Sequence, residues 1–225
     1  MIEKIRSLVT QANHYRTGKI RKLLCGFVIL MIASTGSAYS APKTVLVLGD
    51  SLSAEYGLAR GSGWVALLEQ RIQQKKLDVT VVNASISGDT TSGGVSRLDA
   101  LLKKYHPAIV IIELGGNDGL RGLPITAAEQ NIHAMITASQ TAKARVLLVG
   151  MQIPPNYGRS YTDKFTGMYG TLAKQTHVPL VPFLLAGVAE KPELFQADHI
   201  HMVATAHPQI LDNVWPYLLP LLTAK

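Results

Sequence analysis

Three side chains in this sequence have the types and spacing needed for nucleophilic attack on an ester. Ser51 lies in the stretch GDSLS (49–53), and Asp198 and His201 stand three positions apart near the C-terminus. Ester hydrolysis by a serine requires an imidazole that accepts the hydroxyl proton and a group that orients the imidazole. A three-residue spacing lets Asp198 and His201 present neighbouring side chains on one turn. Taken alone, Ser51 is equally well explained as a helix cap, and the other two as surface residues.

Two further segments contain groups that could stabilise the oxyanion of an acyl-transfer reaction. Gly88 lies in SISGDTTSGG (85–94), and because glycine lacks a side chain, its backbone N–H can approach a ligand closely. Asn117 lies in GGNDGLRG (115–122) and supplies an amide donor. Each of these residues alone also fits an ordinary turn. Their joint placement with the serine, at the ends of successive apolar segments, indicates a functional site.

Apolar segments of strand length alternate along the chain with amphipathic segments of helix length. The pattern predicts strands at residues 44–48, 79–82, 108–114, 146–149 and 178–181, and helices at about 63–75, 92–104, 126–141, 161–176 and 204–222. Strands that are apolar on both faces and separated by helices predict an α/β fold built on a parallel sheet. Ligands bind beyond the carboxyl ends of the strands in such sheets, which is where the candidate residues fall.

The first 40 residues have the composition of a secretory signal peptide. Six of the 22 basic residues lie in the first 22 positions, and the apolar run LLCGFVILMIA (23–33) is followed by small residues. This order predicts export, with cleavage after Ala38 or Ser40. Residues 41–225 are then expected to form a single domain. The expected location is periplasmic or secreted. The alternative is an uncleaved N-terminal segment that anchors the protein to a membrane.

The charge of the remaining chain gives no support for nucleic-acid binding. The formal net charge of +7 falls to +2 when the six basic residues and the single acidic residue of the first 40 positions are set aside. No clustered basic segment is left that could displace counterions from phosphates. The only cysteine, Cys25, also lies in the predicted leader, so the exported domain must rely on its apolar core rather than on a disulfide.

The segments together resemble the conserved blocks of the GDSL, or SGNH, hydrolase superfamily, in particular its thioesterase I, lysophospholipase L1 and arylesterase group. The similar stretches span most of residues 43–222 and read VLGDSLSAEYGL, NASISGDTTSGGVSRL, IIELGGNDGLRGLP, PPNYG (154–158) and DNVWP (212–216). The resemblance implies Ser51 as the nucleophile and His201 with Asp198 as the catalytic base pair. It implies oxyanion donors at the Ser51 and Gly88 backbone N–H groups and the Asn117 side chain. The implied fold is a flavodoxin-like, three-layer α/β/α sandwich with a five-stranded parallel sheet.

The last block departs from the Asp-x-x-His-Pro pattern that is usual in this superfamily. It reads DHIHM (198–202), so Met202 replaces the proline, and His199 and His207 are further candidates for the base. We choose His201 because it keeps the three-residue spacing from Asp198. A metal site built from the same aspartate and histidines is a weaker alternative, since His-x-His is not the spacing of a helical zinc site.

The expected substrate follows mainly from the resemblance, which implies a serine esterase that forms an acyl-enzyme and uses no cofactor. Aryl esters, short-to-medium acyl esters, lysophospholipids and acyl thioesters are the implied substrates. Apolar residues just past the third and fourth strands are candidates for an acyl groove: Leu123, Pro124, Ile153, Pro154 and Tyr157. We expect a monomer whose partner is a small ester or lipid, with transient contact at a membrane surface. The nearest alternative on the same fold is a polysaccharide O-deacetylase.

Overall fold

Helices and strands alternate along residues 42–224, the part of the chain that the computed structural model describes. The strands are β1 (Lys43–Gly49), β2 (Val79–Asn83), β3 (Ile109–Glu113), β4 (Arg145–Val149) and β5 (Leu180–Val181). The helices are α1 (Trp64–Gln74), α2 (Thr91–Tyr105), α3 (Gly116–Leu120), α4 (Ile125–Thr141), α5 (Arg159–Thr176) and α6 (His207–Thr223). Short 3₁₀ turns occupy Pro155–Tyr157, Pro192–Leu194 and Ala204–Ala206.

The five strands form one parallel sheet in the order β2-β1-β3-β4-β5. This is the strand order of the flavodoxin-like fold, which places ligands where the order reverses, at the carboxyl ends of β1 and β3. Strand β1 lies at that point, with β2 on one side and β3 on the other. The sheet therefore aims the residues that follow β1, β2 and β3 towards a single edge.

Apolar side chains leave both faces of the sheet, as expected for strands that are covered by helices on two sides. Val45 and Val47 of β1 pack with buried residues of α1 and α6, whereas Leu46 and Leu48 pack with those of α2, α4 and α5. The alternation of β1 residues between the two apolar clusters follows from the two-residue period of a strand. The three-layer α/β/α prediction is confirmed.

The observed elements differ from the predicted ones mainly at the ends and at one short helix. Strand β5 has two residues instead of four, and α3 was not predicted. Pro216 and Pro220 lie inside α6, which nevertheless continues from His207 to Thr223. The predicted leader, with its cleavage sites, lies outside the described residues. Within residues 42–224, no helix combines the length and the apolarity needed to cross a membrane.

Candidate active site

Ser51 lies in the tight turn that begins where β1 ends. The carbonyl of Asp50 accepts hydrogen bonds from the backbone N–H groups of Ser53 and Ala54, at 3.3 and 3.0 Å, and the Asp50 carboxylate accepts one from the Leu52 N–H at 3.0 Å. These bonds close the turn immediately around the serine. Because Ser51 stands at the carboxyl end of the strand nearest the switch in strand order, its hydroxyl reaches the crevice where such sheets bind ligands.

The structure brings His201 and Asp198 to this serine from a loop 150 residues further along the chain. The His201 Nε2 atom lies 2.8 Å from the Ser51 Oγ atom, and the His201 Nδ1 atom lies 2.7 Å from Asp198 Oδ2. The other carboxylate oxygen of Asp198 accepts the backbone N–H groups of Ile200 and His201, each at 3.0 Å. The pKa of Asp198 is lowered to about 2. The largest cause is the hydrogen bond from the His201 backbone N–H, followed by those from the His201 ring and the Ile200 N–H. Asp198 is therefore a carboxylate at neutral pH.

The loop that carries the imidazole is held without the proline that usually follows the histidine. Met202 is 2% exposed and forms an antiparallel bridge with Phe195. The Gln196 N–H donates to the His201 carbonyl at 2.7 Å, and the Gln196 side chain donates to the carbonyls of Met202 and Tyr56. Burial of the methionine and these hydrogen bonds fix the loop on both sides of the imidazole.

The two competing histidines lie in different surroundings. His207 is 2% exposed, and its Nδ1 atom accepts a hydrogen bond from the Trp64 backbone N–H at 3.0 Å. This bond links the start of α6 to the start of α1. Burial lowers the pKa of His207. His199 lines the cavity described below, has φ of +57°, and donates its backbone N–H to Gln196. Among the three histidines, only His201 has its ring against Ser51.

The three residues predicted to supply oxyanion donors lie at one cavity. Ser51, Gly88 and Asn117 line the same cavity. Gly88 has φ of +78°, a conformation that a residue with a Cβ adopts only with strain. Asn117 lies in α3, and its amide nitrogen donates to the Asp89 carbonyl at 2.9 Å and to Asp50 Oδ2 at 3.1 Å. The amide is thereby oriented with its NH₂ group, and not its oxygen, towards these acceptors.

Helix α3 also fixes the loop that carries Gly88. The Asp118 carboxylate accepts the backbone N–H of Thr91 at 2.9 Å and its hydroxyl at 2.6 Å, while the Arg121 guanidinium donates to the Gly88 carbonyl at 2.9 Å. The Asp118 carboxylate caps the start of α2, because buried backbone donors at a helix start need acceptors.

Two buried carboxyl groups lie directly beneath the serine turn. Asp50 and Glu113 are each 2% exposed, and Glu113 accepts hydrogen bonds from the Ser53 hydroxyl at 2.7 Å and the Asp50 N–H at 3.4 Å. Ser53 in turn accepts the Trp64 indole N–H at 3.2 Å. Burial raises the pKa of Asp50 to about 6, and burial together with the nearby Asp50 raises the pKa of Glu113. These acids tie β1, β3 and α1 together under the site.

A cavity of about 770 Å³ opens at Ser51 and His201. Its lining is mostly apolar and includes Leu120, Met151, Ile153, Phe183, Leu185 and Phe195. Such a cavity can enclose a chain of methylene groups beside the serine hydroxyl, since small-molecule sites are typically apolar with a few placed polar groups. The site can therefore hold an acyl group while its carbonyl faces Ser51.

A comparison with protein-family models decides the family. Residues 47–208 match the model of the GDSL-like lipase/acylhydrolase family. The chain belongs to this family. The match covers most of the described residues and includes Ser51, Gly88, Asn117, Asp198 and His201. As a member of a lipase/acylhydrolase family, the protein is an ester hydrolase, as the sequence predicted.

Individual relatives of this GDSL hydrolase are similar over almost their whole length. Esterase TesA of Pseudomonas aeruginosa is 48% identical over 203 residues, which cover 90% of this chain and all of TesA. The thioesterase 1/protease 1/lysophospholipase L1 of Escherichia coli is 44% identical over 195 residues, 87% of this chain and 91% of that protein. The structure of the psychrotrophic esterase EstA from Pseudoalteromonas sp., inhibited by monoethylphosphonate, superposes with a TM-score of 0.77 at 41% identity, covering 81% of this chain and all of EstA.

The predicted acyl-groove residues of this GDSL hydrolase fall into two groups. Ile153 and Pro154 line the cavity. Leu123, Pro124 and Tyr157 are exposed outside its lining, where the Tyr157 hydroxyl donates to the Leu120 carbonyl and the Leu123 carbonyl accepts from Tyr161. The last three residues stand beyond the ends of β3 and β4 as predicted, but helix α3 and a 3₁₀ turn carry them outward.

Sequence reasoning missed several residues of the GDSL hydrolase site. Phe183 and Leu185 follow β5, so the rule that ligands bind at carboxyl strand ends could have found them. Tyr56 lies against the His201 ring, with ring centroids 4.2 Å apart. The only sequence signal for this contact was its position five residues after Ser51. Within residues 42–224, no group of three His, Cys, Asp or Glu side chains is placed to hold a metal ion.

Proposed function

We propose that this protein is a serine esterase that cleaves carboxylic esters and thioesters through a Ser51–His201–Asp198 triad and an acyl-enzyme. The observation that carries the proposal is the continuous hydrogen-bonded chain from Ser51 Oγ to His201, 2.8 Å, and from His201 to Asp198, 2.7 Å. A nucleophile, a base and a group that orients the base are the parts that acyl transfer by serine needs.

In the acylation step, the Ser51 oxygen attacks the carbonyl carbon of the ester while His201 Nε2 accepts the hydroxyl proton. The C–O or C–S bond to the leaving group then breaks, and the same proton passes from His201 to the leaving alcohol or thiol. The Asp198 carboxylate accepts a hydrogen bond from the Nδ1–H group, which fixes the imidazole tautomer and stabilises the imidazolium. A water molecule attacks the acyl-enzyme with the same base and releases the carboxylic acid.

The negative charge of the tetrahedral intermediate develops on the former carbonyl oxygen of the ester, and hydrogen-bond donors must stabilise it there. We assign these donors to the Ser51 and Gly88 backbone N–H groups and the Asn117 amide, all at the cavity wall. Both amide hydrogens of Asn117 already have acceptors, in Asp89 and Asp50. The hydrogen directed at Asp50 must turn to, or be shared with, the oxyanion. Removal of one such donor typically costs about 10²–10³-fold in turnover.

The volume and lining of the cavity support acyl groups longer than acetate. About 770 Å³ of mostly apolar space is more than an acetyl group needs, and each methylene group buried from water contributes roughly 0.8 kcal/mol. Aryl esters, short-to-medium acyl esters, lysophospholipids and acyl thioesters fit this space. The polysaccharide O-deacetylase alternative predicts a small polar pocket, which the lining does not favour.

The experiment that tests the proposal is hydrolysis of p-nitrophenyl esters from acetate to decanoate, of a lysophospholipid and of an acyl thioester. We expect kcat/KM to rise from acetate towards medium chains, and Ser51→Ala to abolish all three activities together. Ser53→Ala is the matched control, because Ser53 lies two residues away but its hydroxyl faces Glu113 rather than the cavity. Activity on acetate alone would indicate the deacetylase, and retained activity in Ser51→Ala would refute the mechanism.

We also propose that the enzyme acts outside the cytoplasm. The basic start, the apolar run and the small residues of positions 1–40 support export. The mass of the protein purified from the periplasmic fraction tests this directly. A start at Tyr39 or Ala41 would support cleavage at the predicted sites, and an intact N-terminus in the membrane fraction would indicate an anchor.

A further inference from the structure

Exposed apolar side chains are concentrated at the edge of the molecule where the cavity opens. Seven large apolar residues of the described part are more than a third exposed, and five of them lie in the segments that follow the five strands, one in each. These five residues, which we call the apolar rim, are Tyr56 after β1, Ile86 after β2, Leu123 after β3, Tyr157 after β4 and Ile200 after β5. The other two, Val95 and Tyr217, lie on helices α2 and α6.

The apolar rim lies in the same chain segments as the lining of the catalytic cavity. Tyr56 and Ile200 themselves line the cavity, and Ile86 immediately precedes the lining residues Ser87 and Gly88. Leu123 and Tyr157 come shortly after other lining residues of the β3 and β4 segments. Their exposed fractions range from 38% to 52%, so each rim residue offers apolar surface to whatever approaches the mouth. Exposed apolar residues that are grouped at one edge of a fold, beside a cavity, are typical of an interaction site.

A cationic group lies within the same rim. The exposed Arg121 side chain donates from Nη2 to the Gly88 carbonyl at 2.9 Å, which leaves its other donors facing outward. Within residues 42–224, no carboxylate lies within 4 Å of this guanidinium. Arginine donors in a planar fork match phosphate oxygens. The rim therefore combines apolar side chains with one unneutralised positive charge.

We propose that the apolar rim docks on an anionic phospholipid surface, so that an acyl chain passes directly from that surface into the cavity. Side chains such as Tyr, Ile and Leu insert at the boundary of headgroups and acyl chains, and basic groups beside them add attraction to anionic lipid. A lipid surface fits this placement of the rim residues, because one lipid molecule can fill the cavity while neighbouring lipid molecules contact the rim. The inference rests on the proposed function for the acyl chain in the cavity, whereas docking itself requires no hydrolysis.

Binding is tested in a Ser51→Ala background, so that hydrolysis does not alter the lipid. Flotation with phosphatidylglycerol vesicles is compared between this parent and a variant that also carries Ile86→Ser, Leu123→Ser and Tyr157→Ser. Val95→Ser with Tyr217→Ser is the control, since these residues are similarly exposed but lie on helices α2 and α6 and not in the segments that directly follow the strands. We expect the rim variant to bind about tenfold more weakly or worse, because three apolar contacts are lost, and the control to bind like the parent.

Arg121 is tested in the same inactive background. Arg121→Gln should reduce the preference for phosphatidylglycerol over phosphatidylcholine vesicles and leave binding to the latter unchanged. The proposal would be overturned if the rim variant, the control and the parent bound vesicles equally. It would also be overturned if the control bound as weakly as the rim variant. Self-association that competes with vesicles would instead identify the rim as a contact between copies of this chain and would equally overturn it.

A kinetic readout separates docking from folding and from chemistry. Ile86 lies outside the cavity lining, so Ile86→Ser should keep kcat/KM on soluble p-nitrophenyl butyrate within twofold of the wild type. The same variant should lose most of its rate on lysophospholipid presented in anionic vesicles. Loss of both rates would contradict docking, and retention of both would also contradict it. Failure of the wild type on soluble esters would refute the proposed function without bearing on vesicle binding.

Discussion

The Tyr56 ring lies against the His201 imidazole, with centroids 4.2 Å apart and planes inclined by 35°. The tyrosine belongs to the segment after β1 that also carries Ser51, and its carbonyl accepts the Gln196 side chain of the histidine loop. The two parts of the site are thus joined by an aromatic contact as well as by the Ser51–His201 hydrogen bond. Because the imidazole becomes a cation during acylation, the face of the tyrosine ring can stabilise that state.

Replacement of Tyr56 by leucine should lower kcat on a soluble ester by about two- to fivefold, the range expected from loss of one exposed cation–π contact. Tyr56→Phe keeps the aromatic face and should stay within about 1.5-fold of the wild type on the same scale. Steady-state kinetics of the three proteins at one pH provides the comparison. Equal kcat values for the phenylalanine and leucine variants would show that the ring acts only as packing.

Replacement of Asn117 by alanine should reduce kcat about 10²–10³-fold with little change in KM, because the amide is proposed to act on the oxyanion and not on the ground-state ester. The change also removes hydrogen bonds to Asp89 and Asp50. Asn131→Ala is a suitable control, since its amide joins helix α4 to Thr91 without reaching the cavity. A kcat loss of equal size in the two variants would assign the effect to the loop and not to the oxyanion.

Asp198→Asn should lower kcat by up to about 10⁴-fold, since an amide at this position favours the wrong imidazole tautomer. The pKa of Asp198 is already lowered to about 2, so its protonation cannot account for a fall in activity between pH 7 and pH 5. We expect the acid side of the pH–activity profile to move to lower pH in the variant while its height falls, because the carboxylate that stabilises the imidazolium is gone. An acid side that moves to higher pH would contradict this.

The same lowered pKa predicts a pH dependence of stability. The folded protein binds fewer protons at Asp198 than the unfolded chain between about pH 4 and pH 2, so the stabilising contribution is present above this range and is lost as the pH falls through it. Asp198 is partly exposed, and solvent screening keeps the contribution small. Urea unfolding of the wild type and Asp198→Asn at pH 5 and pH 2.5 should show a difference that is larger at pH 5.

Asp50 should act on stability in the opposite direction. Burial raises its pKa from 3.8 to about 6, so the folded protein binds more protons than the unfolded chain between these values, and stability falls as the pH rises through this range. Asp50→Asn should therefore lose less stability than the wild type between pH 4 and pH 7, as measured by urea unfolding. Glu113 shifts in the same direction and keeps part of the slope. A slope that is unchanged or steeper in the variant would refute the assignment.

Sequence reasoning succeeded where a single chemical pattern determines position. Buried strands followed by small polar residues predicted the sheet and placed Ser51, Gly88 and Asn117 at one edge, because parallel strands end together. The three-residue spacing selected His201 over His199 and His207, and the structure places its ring against Ser51. These inferences drew on local pattern, on the geometry of a parallel sheet and on the resemblance to the GDSL superfamily.

The remaining features depend on contacts between distant segments. The start of α2 is capped by Asp118, which lies 27 residues further along the chain and accepts hydrogen bonds from the Thr91 N–H and hydroxyl. Leu123 and Tyr157 are exposed outside the cavity lining, and each lies in or just past the short helix or 3₁₀ turn that follows its strand. Sequence periodicity carries no information about such long-range competition for hydrogen bonds and space.

The central claim, that Ser51 is a nucleophile activated by His201, is tested most directly by labelling the intact enzyme with a fluorescent fluorophosphonate and mapping the modified peptide. We predict one covalent adduct per chain on the peptide that contains Ser51, absent in Ser51→Ala and slowed strongly in His201→Ala. An adduct on another residue, or labelling of His201→Ala at the rate of the wild type, would contradict the account.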